Sequence, residues 1–122
     1  MTSPISSMIA STKSQSNVYP TITDTHMMVV SMMQLTIELP DTGSIKEKRR
    51  MVLSLRDRVI RRFRVSMSEV DLHNSLTFAE LGTAMVSNSR EHGERVMNKI
   101  LKFVEDEAPG RVQDVVIHSE FH

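Results

Sequence analysis

Cysteine and tryptophan are both absent from this chain of 122 residues. Without cysteine, disulfides, thiolate metal sites and cysteine nucleophiles are excluded. Aromatic residues are limited to four Phe and one Tyr, so side chains on which nucleobases could stack are scarce. No apolar run approaches the roughly 18 residues needed to span a bilayer. We therefore expect a cytoplasmic protein with no membrane partner.

The formal net charge is zero, because 15 Lys and Arg residues balance 15 Asp and Glu residues. The basic residues are nevertheless concentrated. Nine of them lie at positions 44–64, where only Glu47 and Asp57 oppose them. Any attraction to nucleic acid must therefore be local, and it would act within about 10 Å at 0.1 M salt.

Residues 1–27 are rich in Ser and Thr and show no hydrophobic period. Such a segment cannot bury enough apolar surface to offset its ordering entropy. Lys13 is its only Lys or Arg, and it has no apolar core of the kind a signal peptide needs. We expect either a disordered tail or a start codon placed too early, and a single domain at residues 28–122.

Four segments with strand character and two with helical character follow one another along that domain. Alternating apolar residues predict strands at 28–39, 65–72, 78–87 and 112–121. Helical spacing predicts helices at 44–64 and 89–107. In the second strand the alternation changes phase, which indicates a bulge near Ser68 and Glu69. The order βαββαβ is that of a ferredoxin-like α+β fold, with a four-stranded antiparallel sheet and two helices on one face.

The second helix carries two local signals. Asn88 and Glu91 have the spacing of an N-terminal cap. Gly93 is expected to weaken the helix by roughly 1 kcal/mol relative to Ala, because glycine loses more backbone entropy.

The first helix begins with a capping box formed by Ser44 and Glu47. Its apolar stripe consists of Ile45, Val52, Leu55, Val59 and Phe63. Cations crowd its first two turns, where the helix dipole disfavours each by about 0.3–1 kcal/mol. A basic cluster placed against local stability favours phosphate contact; the alternative is a solvated face built from good helix formers. The candidate RNA-binding residues are Lys46, Lys48, Arg49, Arg50 and Arg61.

The third strand places Gly82 and Ala84 on one face and Leu81, Thr83 and Met85 on the other. Small residues would let a helix pack close to the sheet. We therefore expect the face with Thr83 and Met85 to be open, together with Met32 of the first strand. Met-rich faces suit adaptable partners. The candidate interface residues are thus Met32, Thr83 and Met85, for a homodimer or another protein; the alternative is an uneven surface.

Glu69, Asp71 and His73 alternate near the end of the second strand. If all three pointed the same way they could bind a metal or transfer protons. The alternative is a strand-end turn that satisfies its own backbone. The other histidines show no metal-ligand spacing, and no phosphate-binding glycine motif appears. We predict no catalytic residue, no metal site and no cofactor.

Several short stretches together resemble one known family. They are Met28-Val29-Val30, the helix start SIKEKRR at 44–50, Val65-Ser66 with Glu69-Val70-Asp71, Leu81-Gly82 and Val86-Ser87-Asn88. On these residues the chain resembles the YlxP-like family, also called domain of unknown function 503, over about residues 28–121. The resemblance implies a small bacterial protein with a ferredoxin-like fold. Members are often encoded beside translation and ribosome-maturation genes, which implies work on RNA or ribosomal particles.

Two hypotheses about function follow. The first is a non-enzymatic accessory factor that contacts RNA or a ribosomal particle through the basic helix. The second is a protein-interaction or homodimerisation module that acts through the open sheet face.

Overall fold

The computed structural model describes residues 28–40 and 42–122, and the predictions made for residues 1–27 lie outside this range. Its elements are β1 (Val29–Glu38), α1 (Ile45–Phe63), β2 (Ser66–Asp71), β3 (Phe78–Ser87), α2 (Arg90–Glu107) and β4 (Arg111–Phe121). The strands form one antiparallel sheet in the order β2-β3-β1-β4. The predicted ferredoxin-like α+β fold is confirmed.

Both helices begin at a serine cap. The Ser44 hydroxyl oxygen accepts a hydrogen bond from the Glu47 amide at 3.0 Å, as the sequence predicted. In α2 the cap is Ser89, whose hydroxyl oxygen accepts from the His92 amide at 3.1 Å. The predicted cap at Asn88 was therefore one residue early.

The core lies between one face of the sheet and the two helices. Alternate residues of β1 are fully buried there, including Met33, Leu35 and Ile37. They pack in one cluster with buried side chains of α1 (Val52, Leu55, Val59) and α2 (Met97, Ile100, Val104). Met32, between buried neighbours, is 37% exposed on the opposite, open face of the sheet. The alternation predicted for β1 is confirmed.

The pairing of β3 with β1 shows that the two faces of β3 were assigned the wrong way round from the sequence. Ala84 lies opposite Met32, and Thr83 lies opposite Met33. Directly opposed residues of antiparallel strands project to the same face, so Ala84 is on the open face and Thr83 on the helix side. Thr83 is 4% exposed and donates a hydrogen bond to the Ser66 carbonyl at 2.6 Å. Met85 packs against the core from the same side.

The two interface candidates Thr83 and Met85 are thus corrected, while Met32 stays on the open face. Leu81, expected beside them, is likewise in the core at 1% exposure. The sequence suggested that a helix packs closely against Gly82 and Ala84 of the sheet, but the close contact between helix and sheet occurs elsewhere. It falls at Gly93 of α2, where a Cβ atom would lie 1.9 Å from Ser31 Oγ. Ser31 and Ser119 are buried beneath it, with their hydroxyl oxygens 2.7 Å apart. The intrinsic advantage expected for Ala at position 93 is therefore opposed by a steric clash.

Both edge strands contain an irregularity. The pairing of β2 with β3 shifts between Glu69 and Asp71. This confirms the predicted bulge in β2, displaced by about one residue toward Val70. A second shift, in β4 opposite β1, was not predicted; Asp114 has a φ of 55° there.

Candidate functional site

The outer face of α1 presents four of the five residues predicted to bind RNA. Lys46, Arg50 and Arg61 are exposed and share one side of the helix, and Arg49 is exposed on its flank. Arg50 and Arg61 are separated by eleven residues, which is about 16 Å along the helix axis. We call Lys46, Arg49 and Arg50 the amino-terminal cluster of α1.

Lys48 is the exception, and its predicted contact with RNA is corrected. Its side chain points inward and the residue is only 1% exposed. The ammonium group donates a hydrogen bond to the Leu72 carbonyl at 2.6 Å and lies 3.0 Å from Glu69 Oε2. The sequence held a signal for this, because Lys48 lies four residues before Val52 and seven before Leu55, on the apolar stripe.

The Lys48–Glu69 contact is an ion pair on the core side of the sheet. Glu69 has a side-chain exposure of 14%, and within the described residues no donor approaches its Oε2 with hydrogen-bond geometry. The interaction is therefore chiefly Coulombic and depends on both charges remaining in place. Thr42, just before α1, makes a second contact with the 72–77 loop, because its hydroxyl donates a hydrogen bond to the Leu76 carbonyl at 3.3 Å. Together these contacts hold the 72–77 loop against the start of α1.

Glu69, Asp71 and His73 do not converge. The bulge leaves Glu69 facing Lys48, whereas Asp71 is paired in register with Glu80 and accepts a hydrogen bond from the Leu72 amide. His73 Nε2 lies 3.1 Å from the backbone oxygen of Glu69. Within the described part of the chain, no three His, Asp or Glu side chains are grouped as metal ligands would be. The geometry matches a strand-end turn.

The remaining cations of α1 differ in whether an acidic partner is near. Arg56 contacts Asp57 at 2.9 Å, and Arg58 bridges to Glu107 of α2 at 2.7 Å. Arg62 instead lies over two aromatic rings, 5.6 Å from the Phe63 centroid and 5.3 Å from the Phe103 centroid. The contacts of Arg58 with Glu107 and of Arg62 with Phe103 join the carboxyl-terminal halves of α1 and α2.

Sequence reasoning missed the contribution of α2 to this basic surface. Lys99 and Lys102 are exposed on α2 and line a depression shared with Arg62. The available signal was their spacing of three residues, which places two lysines on the same side of a helix.

The open sheet face carries a groove of about 400 Å³. Gly82 and Ala84 form part of its lining, and Val30, Met32 and Val70 are the larger apolar side chains that the open face contributes. The small residues that the sequence assigned to helix packing therefore create a depression on the other side of the sheet. Ser66 and Ser68 of β2 add polar atoms at its edge.

Neither described helix has the length and apolarity to cross a membrane. Fold and surface together define the class as a small ferredoxin-like α+β protein with a cationic helix layer. The family described as "Protein of unknown function (DUF503)" matches residues 30–117, and the chain belongs to this family.

One curated relative is the "Uncharacterized protein YlxP" of Bacillus subtilis (strain 168). It is 35% identical over 65 residues, which cover 53% of this chain and 71% of the relative. The YlxP-like resemblance noted from the sequence is therefore confirmed.

Two designed proteins are similar in structure at low sequence identity. "De novo designed protein Foldit4" aligns with a TM-score of 0.45 at 13% identity, covering 76% of this chain and 96% of that chain. "De novo designed protein Ferredog-Diesel" aligns with a TM-score of 0.37 at 10% identity, covering 85% and 98%. Neither likeness bears on function.

Proposed function

We propose that this protein is a non-enzymatic accessory factor of the cytoplasm that binds structured RNA, or a ribosomal particle, through the outer face of α1. The observation that carries the proposal is the amino-terminal cluster of α1. Lys46, Arg49 and Arg50 are exposed, and none of them has an acidic partner among the described residues. Such cations are available to neutralise phosphates, which releases the counterions condensed on the nucleic acid.

The position of the cluster supports phosphate as the ligand. The free amides at the start of a helix and the positive end of its dipole attract anions. The open sheet offers little for base stacking. The residues of β1 that reach it (Val30, Met32, Gln34, Thr36 and Glu38) include no aromatic side chain, and Phe78 of β3 lies at the end of its strand, opposite Glu38. Recognition would therefore depend on RNA backbone and shape rather than on base sequence.

The test is co-sedimentation of the full chain with purified bacterial ribosomal subunits over a salt series. The variant Lys46→Gln/Arg49→Gln/Arg50→Gln should bind more weakly, and its log–log salt slope should be flatter by about 2–3 units, because each phosphate contact contributes roughly 0.7–0.9. Arg90→Gln/Arg95→Gln/Arg111→Gln removes the same charge elsewhere and serves as the control. Equal co-sedimentation of the wild type and the cluster variant would refute the proposal.

A second candidate function is association with another protein copy through the open sheet face. The apolar groove lined by Met32, Val70, Gly82 and Ala84 favours it. Met32→Glu/Ala84→Glu should then lower the molar mass measured by light scattering from that of a dimer to that of a monomer, because charges would enter an apolar contact. Thr36→Glu, on the same face but outside the groove, is the control. A wild-type chain that is monomeric at high concentration would count against this candidate.

A further inference from the structure

A depression runs between the carboxyl-terminal halves of α1 and α2. It comprises two adjoining pockets of about 340 and 410 Å³, which share Arg62, Phe103 and Glu107. We call it the interhelical groove, defined by Arg61, Arg62, Lys99, Lys102 and Phe103.

The charge of the interhelical groove is predominantly positive. Glu107 is already paired with Arg58 at 2.7 Å, so its charge is largely compensated. Asp106 is the other acidic residue in the lining of the two pockets. The four cations of the groove have no acidic partner within salt-bridge distance among the described residues. They come from both helices, so the patch is a product of the fold.

Arg62 lies within cation–π distance of two aromatic rings. The Phe63 and Phe103 rings meet edge to face with centroids 5.6 Å apart. The Arg62 guanidinium lies over both, 5.6 and 5.3 Å from their centroids. A cation–π contact of this kind does not use the N–H groups of the guanidinium as hydrogen-bond donors to a carboxylate, so they can bind phosphate oxygens. A cation that is already ordered loses less side-chain entropy when it binds.

We propose that the interhelical groove is a second contact site for the phosphodiester backbone of the same RNA. This inference rests on the function proposed above and deepens it, because RNA would be held at two places on the helix layer. The amino-terminal cluster and the groove are joined by one helix, with Arg50 and Arg61 about 16 Å apart along its axis. A rigid spacing fits a double-helical RNA, whose phosphates also keep fixed separations.

The experiment measures binding of the full chain to a short RNA duplex by fluorescence anisotropy at several salt concentrations. Lys99→Gln/Lys102→Gln changes only α2 and leaves the amino-terminal cluster intact. Its affinity for the duplex should fall roughly tenfold near 0.1 M salt, and the log–log salt slope should flatten by about 2 units. Arg90→Gln/Arg111→Gln, with the same change in charge, should leave both quantities close to those of the wild type.

The outcomes separate the inference from the proposed function. If the groove variant binds like its control while Lys46→Gln/Arg49→Gln/Arg50→Gln loses affinity, the inference is wrong and the proposed function stands. If neither variant loses affinity, the inference is wrong and duplex RNA is not the ligand of the amino-terminal cluster; co-sedimentation with ribosomal subunits then decides the proposed function. Equal affinity of the wild type for the RNA duplex, single-stranded polyuridine and heparin would indicate only a general attraction to polyanions, and would also overturn the inference.

A further variant tests the role assigned to Arg62. Arg62→Lys keeps the charge but removes the planar group that stacks on Phe103 and binds phosphate through two N–H groups. We expect weaker binding to the RNA duplex, whereas Lys99→Arg should not weaken it. Unchanged binding of Arg62→Lys would overturn the preorganised contact.

Discussion

Lysine residues have different roles on the inner and outer surfaces of the helix layer: a buried lysine stabilises the fold, whereas an exposed one is available to a ligand. Lys46 and Lys48 are two positions apart in α1, yet Lys46 is exposed and Lys48 is buried. Lys48 holds the 72–77 loop through Leu72 and Glu69. The charge count of a helix therefore overstates the charge that a ligand can reach. Substitutions on the inner surface should affect folding, and those on the outer surface should affect binding.

The largest expected effect is at Lys48. Lys48→Met should lower the free energy of unfolding by about 3 kcal/mol, since it leaves the Glu69 carboxylate largely buried without its cation. The value lies at the low end for buried pairs because Glu69 keeps 14% exposure. Urea denaturation measures the change, and faster hydrogen exchange at residues 72–77 should accompany it.

The matched control for Lys48→Met is the double variant Lys48→Met/Glu69→Leu. Replacing both charges of a buried pair by apolar groups is often close to neutral, so this variant should recover most of the lost stability. If the double variant is no more stable than the single one, the ion pair is not what Lys48 contributes.

An intermediate effect is expected at Gly93, also on the inner surface. Gly93→Ala should lower the free energy of unfolding by about 1–3 kcal/mol through overpacking against Ser31. Helix propensity alone gives the opposite sign, a gain of about 1 kcal/mol. Urea denaturation distinguishes the two, with Glu94→Ala at the exposed neighbouring position as the control. A more stable Gly93→Ala variant would show that a methyl group fits between α2 and Ser31 without a clash.

The smallest effect is expected on the outer surface. Lys46→Gln should raise the free energy of unfolding by about 0.3–1 kcal/mol, because it removes a cation from the positive end of the α1 dipole. Lys46→Arg, which keeps the charge, should leave stability unchanged in the same urea titration. If Lys46→Gln instead lost stability, Lys46 would contribute to folding as Lys48 does, and the proposed difference between the inner and outer surfaces would be wrong.

Much of the fold could be predicted because its signals are local. The order of elements follows from hydrophobic periods of two and 3.6 residues, and the first cap follows from Ser44 and Glu47. Even the bulge in β2 was visible, since one extra residue changes the phase of the alternation.

The errors arose where tertiary packing decides the outcome. Alternation separates the two faces of β3, but it does not say which one the helices cover, so Thr83 and Met85 were assigned to the wrong side. Gly93 looked unfavourable because its closest neighbour, Ser31, is 62 positions away in the sequence. Lys99 and Lys102 form a basic surface with Arg62 because α2 lies beside the end of α1, and the sequence spacing does not predict that packing.

The bulge of β4 affects whether a strand of another chain can pair with this edge of the sheet. β4 is the longer of the two edge strands, with 11 residues, and Val115 and Val116 are exposed on it. An unbroken edge of this kind is a template for strand addition from another chain, the first step toward fibrous aggregates. Asp114, with its positive φ, lies beside these valines at the bulge in the pairing of β4 with β1. The bulge leaves an incoming strand without a continuous row of partners, so it should disfavour the addition of another chain at this edge of the sheet.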